Sequence, residues 1–377
     1  MKPLKALAIS DLHCGNPRLD PLHFVATIHE YVLPKITDDL DYLFICGDFF
    51  DLLVTMNSAS SFAAMNVISK LKEACYRKNV KLRVLRGTYT HDRDQPKHFM
   101  TASSEYNSCV EVVDSMCIEY DKDLDTTILY MPDNLSFGAT IYEHVEKLLK
   151  LHMLEKVDIV IHHGYFKHML PPGIPEPSGT LDFEIFKKFY RGCVLNGHVH
   201  TTSIHQNVIS VGSFDRFAYG EEEDKGFYIV KRDDIGKYAY EFVKNEHAIP
   251  FWTLNLKDFD NQDIRPVIDH VDSVWGPKIR RAREMQLPVH VRLVTNDSGI
   301  MDGMTQYLRD TYPHIAVDRG VATKKEQILE KVAMDLSELP VITPDNVADL
   351  AIPIIKKMHP DASDEELKAV IDGCKVK

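Results

Sequence analysis

Along the first half of the chain, short β-branched runs alternate with stretches whose apolar residues recur at helical spacing, the pattern of strands joined by helices. Residues 5–13 (KALAISDLH) predict a strand running into a polar loop, and 21–33 an amphipathic helix. A second strand is predicted over 42–48 (YLFICGD), a helix over 60–79 and a third strand over 81–87 (KLRVLRG). The runs 110–120 and 126–133 read as two strands joined by the turn-forming DKDLD, a hairpin pattern. Residues 139–154 predict a helix, 157–163 (VDIVIHH) a buried strand, and 181–192 a helix with a glycine near its end. Short strands over 193–200, 208–214, 226–230 and 237–245 follow, separated by tight turns.

The pattern changes near residue 251, where FWTLNLKDFD departs from it. Residues 262–285 predict a helix interrupted at Gly276-Pro277, 288–296 a strand and 299–312 a helix, together a small separate α/β unit. The last segment predicts two short amphipathic helices broken at His359-Pro360, with Ser363 and Glu366 spaced as a capping box. The expected organisation is a domain over 1–250, a smaller one over 251–336 and a helical tail over 337–377. No internal repeat or low-complexity segment interrupts it.

Composition narrows the function classes. With 377 residues, 44 Lys+Arg and 56 Asp+Glu, the chain carries a net charge of −12, and its pI is near 5.8. An acidic chain has no histone-like coat, so any nucleic acid must be met at a local site. No apolar run approaches the roughly 18 residues of a membrane-spanning helix, and the N-terminus lacks the shape of a signal peptide. The seven cysteines (Cys14, Cys46, Cys75, Cys109, Cys117, Cys193, Cys374) are scattered, odd in number and without a CxxC pair. Reduced thiols in a soluble cytoplasmic protein are the expectation, with neither a disulfide framework nor a zinc ribbon.

The chemistry gathers at predicted strand ends. Five separate segments place Asp or His there: Asp11 and His13, Asp48, His91, His162 with His163, and His198 with His200. One strand-end histidine is usually a structural hydrogen-bonding residue, but five such segments in succession form a constellation. An X-x-X spacing puts two side chains on one face, so Asp11 and His13 can grip one ion. Mixed imidazole and carboxylate donors suit Mn²⁺, Fe²⁺ or Zn²⁺ better than Ca²⁺ or Mg²⁺. More donors are present than one tetrahedral ion uses, which favours two ions sharing a bridging carboxylate.

These blocks carry a resemblance. Asp11-x-His13, Gly47-Asp48-x-x-Asp51, a glycine followed by His91-Asp92, His162-His163-Gly164 and Gly197-His198-x-His200 occur in the order found in calcineurin-like metallophosphoesterases. The stretch 211–230 (VGSFDRFAYGEEEDKGFYIV) is similar to the segment after the last metal block in the SbcD nuclease subfamily, which processes double-strand DNA ends. The unit after residue 251 and the helical tail resemble that subfamily's layout. The implied fold is an α/β metallophosphoesterase β-sandwich flanked by helices, with a small α/β cap and a helical tail.

The resemblance implies two divalent ions, Mn²⁺ in first place and Mg²⁺ in second. Asp11, His13 and His200 would hold one, Asp48 would bridge, and His198 with one histidine of the HHG block would hold the other. Adjacent strand residues face opposite sides, so His162 and His163 cannot easily share an ion. A ligand histidine followed by a polar residue and the pair Lys167-His168 favours His162, while His163 beside Gly164 matches a simpler His-Gly form. The family's third block is Gly-Asn-His-Asp; here it reads Gly87-Thr88-Tyr89-Thr90-His91-Asp92, similar to a variant in bacteriophage members. Thr90 stands where the ligand Asn is expected.

The same resemblance assigns His91 to binding the phosphate or protonating the leaving oxygen, and makes Asp51 and Asp92 the groups that orient a histidine or a turn. In the cap, Lys278, Arg280, Arg281 and Arg283 form the densest basic cluster and are the candidate DNA contacts. A homodimer working with an SbcC-type coiled-coil ATPase on DNA ends is implied as well. The alternatives are a phosphatase or phosphodiesterase on small substrates, and a weakly active recombination scaffold. The acidic run Glu221-Glu222-Glu223-Asp224 reads as a solvated turn without direct chemistry.

Overall fold

The computed structural model describes residues 2–133, 140–170, 175–320 and Ile352. Its first sheet is built on β1 (Leu4–Ile9), β2 (Tyr42–Ile45), β3 (Lys81–Leu85) and β4 (Val110–Val113), which run parallel. Two antiparallel strands, β11 (Gly226–Arg232) and β12 (Tyr238–Lys244), extend it beyond β1 in the order β12-β11-β1-β2-β3-β4. The second sheet contains β5 (Cys117–Asp121), β6 (Thr126–Met131), β7 (Val157–His163), β8 (Tyr190–Gly197), β9 (Ser203–His205) and β10 (Val208–Ser210). Its order is β5-β6-β7-β8-β10-β9, with β6, β7, β8 and β10 parallel.

The sheets pack face to face. Ala6 and Ala8 of β1 and Phe44 of β2 meet Ile128, Ile159 and Leu195 of the second sheet in one buried cluster. The other face of the first sheet, through Leu7, Ile9, Leu43 and Ile45, is covered by helices α1 (Pro21–Thr27) and α2 (Ala59–Arg77). Two short α-helices of this half are α3 (Tyr89–Asp92) and α4 (His98–Thr101). The outer face of the second sheet, through Leu129, Val160 and Val194, is covered by α5 (Ile141–Leu151) and α6 (Phe183–Phe186). Central strands covered on both faces need no polar alternation, which is why they read as nearly continuous apolar runs. Helix α2 shows how the layers are written: Ser58 caps it by accepting from Ser61 N, and Ala64, Val67, Ile68, Leu71 and Cys75 recur at the spacing of one buried stripe.

A third sheet follows, with β13 (Phe251–Asn255), β14 (Val289–Val294) and β15 (Ile315–Gly320) all parallel. Helices α7 (Ile264–Val274), α8 (Gly276–Glu284) and α9 (Ser298–Thr311) pack on it around Val271, Ile279, Val291 and Met304. The expected interruption falls at Trp275, where Gly276 and Pro277 open α8. All three sheets lie in one compact unit, Met1–Val321. The cap's expected end over 321–336 and, apart from Ile352, the tail over 337–377 lie outside the described residues.

Several elements differ from the sequence expectation, among them the strands β9 and β13, which fall where none was expected. The run 110–120 is two strands, because the chain leaves β4 and crosses to the second sheet before β5 pairs with β6. The helix expected over 181–192 is only α6, since Tyr190 pairs with Val157 and draws 190–192 into β8. Strand β15 closes the third sheet at a segment for which no strand was expected. Among the described residues Cys14, Cys46, Cys75, Cys109, Cys117 and Cys193 are free, and no helix is long and apolar enough to cross a membrane.

Candidate metal centre

The carboxyl ends of β1, β2 and β3 in one sheet, and of β7 and β8 in the other, converge on one patch of Asp and His side chains. The loop after β1 is tied to the loop after β2 by backbone bonds from Asp11 N to Gly47 O (3.1 Å), Leu12 N to Asp48 O (2.9 Å) and Cys14 N to Phe49 O (2.8 Å). Asp92 completes the frame. Its buried carboxylate accepts from the amides of Gly87 (2.7 Å), Phe50 (2.9 Å) and Asp48 (3.1 Å), so it shapes two loops at once. Gly47, at φ +100°, passes so close to the His163 ring that a β-carbon has no room, and Gly87 does the same beside Asp48.

The backbone at the candidate ligands is itself unusual. Asp11, His13, Asp48 and His198 take φ angles of +49°, +46°, +49° and +83°. Such conformations cost a non-glycine residue about 1–3 kcal/mol and persist where the surroundings over-determine them, typically at functional sites.

Two separate groups of donors result, and a third, His13, Asp51 and His91, overlaps the first through His13. In the first, Asp11, His13 and His200 bring one ligand atom each within 4.8 Å of the others. His13 Nε2 lies 3.0 Å from His200 Nε2. His200 Nδ1–H donates to Glu221 Oε1 (3.0 Å), which leaves the Nε2 lone pair turned toward the group. The amide of His198 donates to both Asp11 oxygens (3.2 and 3.0 Å), so the end of β8 holds the end of β1. Asp51 Oδ1 lies 3.1 Å from His13 Nδ1 and accepts from Asn16 Nδ2 (3.2 Å).

The second group is Asp48, His163 and His198. His163 Nε2 is 3.3 Å from Asp48 Oδ2, and its Nδ1–H donates to Cys46 O (2.8 Å), again leaving Nε2 to the site. His162, the residue that the sequence pattern favoured, faces away: its Nδ1–H donates to Asn196 Oδ1 (2.5 Å) and its ring meets the edge of Phe166. The alternation of β7 explains this, since Ile159 and Ile161 point into the space between the sheets and His163 shares their side, whereas Val160 and His162 point at the helical layer.

Thr90 also falls elsewhere. It is exposed on α3, and the hydroxyl that reaches the group belongs to Thr88. Thr88 Oγ1 lies 3.2 Å from Asp48 Oδ2, 3.3 Å from His163 Nε2 and 3.2 Å from His198 Nδ1. Tyr89 and Thr90, which stand between Thr88 and His91, fall in the turn of α3. His91 stands at the edge of the first group: its ring centroid is 4.9 Å from that of His13, and its Nδ1–H donates to Asp51 O (2.5 Å).

The electrostatics match a site built for cations. Burial alone raises the Asp48 carboxyl, but the His163 imidazole holds it below the usual carboxylate range. Burial likewise opposes a charge on His163, and Asp48 reverses that balance and raises it. His198 is pushed down to about 3 by burial and by His163, and His162 to about 4 by burial. For His200, burial is outweighed by Glu221, and the shift is upward. Imidazole nitrogens and buried carboxylates, gathered in threes with the outer nitrogens of His163 and His200 already bonded, form a donor set that fits divalent metal ions.

The four basic residues of α8 are exposed but do not share one face. Lys278 and Arg281 line a cleft of about 410 Å³ opposite Glu222 and Asp224, with Lys278 Nζ 4.2 Å from the Trp275 ring centroid. Arg283 lines a different cleft of about 610 Å³ beside His314 and Glu30. Arg280 is exposed and lines neither.

No family model and no curated protein matches the chain. Among solved structures, GAP50, described as the anchor in the inner membrane complex of Plasmodium, is similar over 65% of this chain and 86% of its own, at 14% identity and a TM-score of 0.41. A nuclease MPE of Pseudomonas putida is similar over 60% of this chain and 83% of its own, at 17% identity and a TM-score of 0.26. These likenesses concern the fold alone. The chain's own fold is a mixed α/β sandwich of parallel-rich sheets flanked by helices.

Proposed function

We propose that this chain is a metal-dependent phosphodiesterase that hydrolyses DNA at double-strand ends, the nuclease subunit of an SbcD-type assembly. The observation that carries the proposal is the meeting of two donor groups, Asp11/His13/His200 and Asp48/His163/His198, at the strand ends of both sheets. Divalent ions held there would supply an activated water and neutralise the phosphodiester. Asp48 is the candidate bridge between the groups, and the amide of His198 fixes Asp11 from the opposite sheet.

The chain's own contribution is positioning and proton transfer. His91 has its Nδ1–H engaged by Asp51 O, so Nε2 is the atom that carries a proton to the leaving oxygen or bonds the phosphate. Asp51 sets the ring of His13 at the same time, which couples a metal ligand to the proton donor. A phosphodiester backbone would track toward the cap past Lys278 and Arg281. Pairing with a second copy and with an SbcC-type ATPase belongs to the same proposal. Exposed Leu52, Leu53, Met56 and Phe62, which begin directly after Asp51 in the chain, favour a protein partner beside the centre.

A weakly active scaffold is the second reading, favoured by the neutral Thr88 hydroxyl in place of a carboxamide. One assay separates the readings. The purified chain is given Mn²⁺ or Mg²⁺, with and without the ATPase, and offered linear duplex DNA, single strands and a chromogenic phosphodiester. Chelator-sensitive cleavage of duplex ends supports the nuclease, cleavage of the chromogenic ester alone supports a small-substrate enzyme, and metal binding without turnover supports the scaffold.

A further inference from the structure

The acidic run that reads from sequence as a solvated turn has two faces. Glu222 and Asp224 are exposed, while Glu221, Glu223 and Lys225 turn inward. Lys225 is 1% exposed, and its Nζ meets Glu221 Oε2 (3.0 Å), Glu223 Oε1 (2.6 Å) and the backbone carbonyl of His200 (3.0 Å). Glu221 in turn accepts from His200 Nδ1 (3.0 Å). The ring is closed: one buried ammonium grips both the main chain of His200 and the carboxylate that holds the imidazole of His200. A carboxylate on the far nitrogen of a ligand histidine fixes ring rotation and raises the basicity of the coordinating nitrogen.

The placement gives this pair a second effect. Lys225 directly precedes β11, which pairs with β1, the strand leading to Asp11 and His13. His200 follows β8 of the other sheet. The Lys225–Glu221 pair therefore stitches the two sheets at the first donor group, as the bond from His163 to Cys46 O does at the second.

We infer that Glu221, clamped by Lys225, is the positioning residue of the first ion site and sets that site's affinity through His200. The inference rests on the reading of Asp11, His13 and His200 as metal ligands. Glu221→Gln, which removes the charge, weakens Mn²⁺ at one site by about tenfold to a hundredfold and leaves the other site unchanged. Glu222→Gln, on the exposed face of the same turn, changes neither.

The test is a calorimetric Mn²⁺ titration of the chelator-treated full chain, with thermal unfolding of the metal-free protein as the measure of structure. Because Glu221 acts through His200, Glu221→Gln adds no further loss in a His200→Ala background. That non-additivity also covers the case in which Glu221→Gln lowers the unfolding temperature, since a structural defect weakens metal in both backgrounds. Equal weakening of both sites, unchanged affinities in Glu221→Gln, or an additive loss in the double variant overturns the inference. A wild-type chain that takes up neither Mn²⁺ nor Mg²⁺ overturns the metal reading itself, which separates the two failures.

Discussion

The hydroxyl oxygen of Thr88 lies 3.2 Å from Nδ1 of His198. It also reaches Asp48 and His163, so a neutral hydroxyl sits at the middle of the second donor group. A hydroxyl is a weaker ligand than a carboxamide. Thr88→Asn is therefore expected to tighten divalent-ion binding at this group, and Thr88→Ala to loosen it by up to about tenfold. Thr90→Ala, on the exposed side of α3, leaves both affinities unchanged. Site-resolved Mn²⁺ titration of the three variants decides which threonine belongs to the centre.

The same titration separates the neighbouring histidines of β7. His163→Ala removes a nitrogen 3.3 Å from Asp48 and is expected to abolish binding at one site and with it turnover. His162→Ala breaks the bond to Asn196 inside the helical layer. That loss is one of stability, about 1–3 kcal/mol by denaturant unfolding, with both ions still bound. Loss of an ion in His162→Ala and not in His163→Ala would reverse the assignment.

The placement of these residues shows what the sequence contains and what it lacks. Asp11, His13, Asp48, His198 and His200 are legible because strand ends and X-x-X spacing are local properties. The alternation of β7 is legible too, and it says that only one of His162 and His163 faces the site. Which one is decided by the layer that Ile161 and Val160 each pack against, a tertiary fact. Thr88 is hidden because Tyr89 and Thr90 separate it from His91 and fall in one turn of helix. Glu221 is hidden more deeply: it lies 21 residues from His200, with no spacing rule to connect them.

His91 provides a test of the division of labour. Its ring touches His13, and with His13 and Asp51 it forms a third donor group that overlaps the first and lies outside the two assigned to the proposed ions. His91→Ala is expected to keep both ions and to lower the cleavage rate by about 10²–10⁴-fold. Cleavage at the normal rate with both ions bound would remove His91 from the proton-transfer role.

The basic residues of α8 line two different clefts, so reversing them one face at a time is informative. Lys278→Glu with Arg281→Glu alters the cleft that also contains Glu222 and Asp224, whereas Arg283→Glu alters the other. If the first cleft carries the DNA backbone, only the paired reversal weakens binding, and the slope of log affinity against log salt falls by about 0.9 for each phosphate no longer neutralised. Equal effects from both faces would point to the general charge of the helix instead.

One buried carboxylate remote from the centre contributes to acid stability. Asp158 on β7 accepts from Thr127 N (2.8 Å), Thr127 Oγ1 (2.7 Å) and Arg191 Nε (2.5 Å). Burial raises its pKa, but Arg191 and the Thr127 donors outweigh burial and hold it below the ordinary 3.8. A carboxyl with a depressed folded-state pKa binds its proton more weakly in the native chain than in the unfolded one. Its contribution is therefore complete above pH 3.8 and is lost as pH falls from there through the lower folded value. Asp158→Asn keeps the shape but loses the charge-assisted bond to half-exposed Arg191, and is expected to cost about 1–3 kcal/mol at pH 7. Below the folded pKa both chains carry an uncharged group here, so the difference shrinks toward zero. Urea unfolding of both chains between pH 2 and pH 7 checks the sign, about 2 being low enough to protonate most native carboxyls; a gap that widens as pH falls would contradict it.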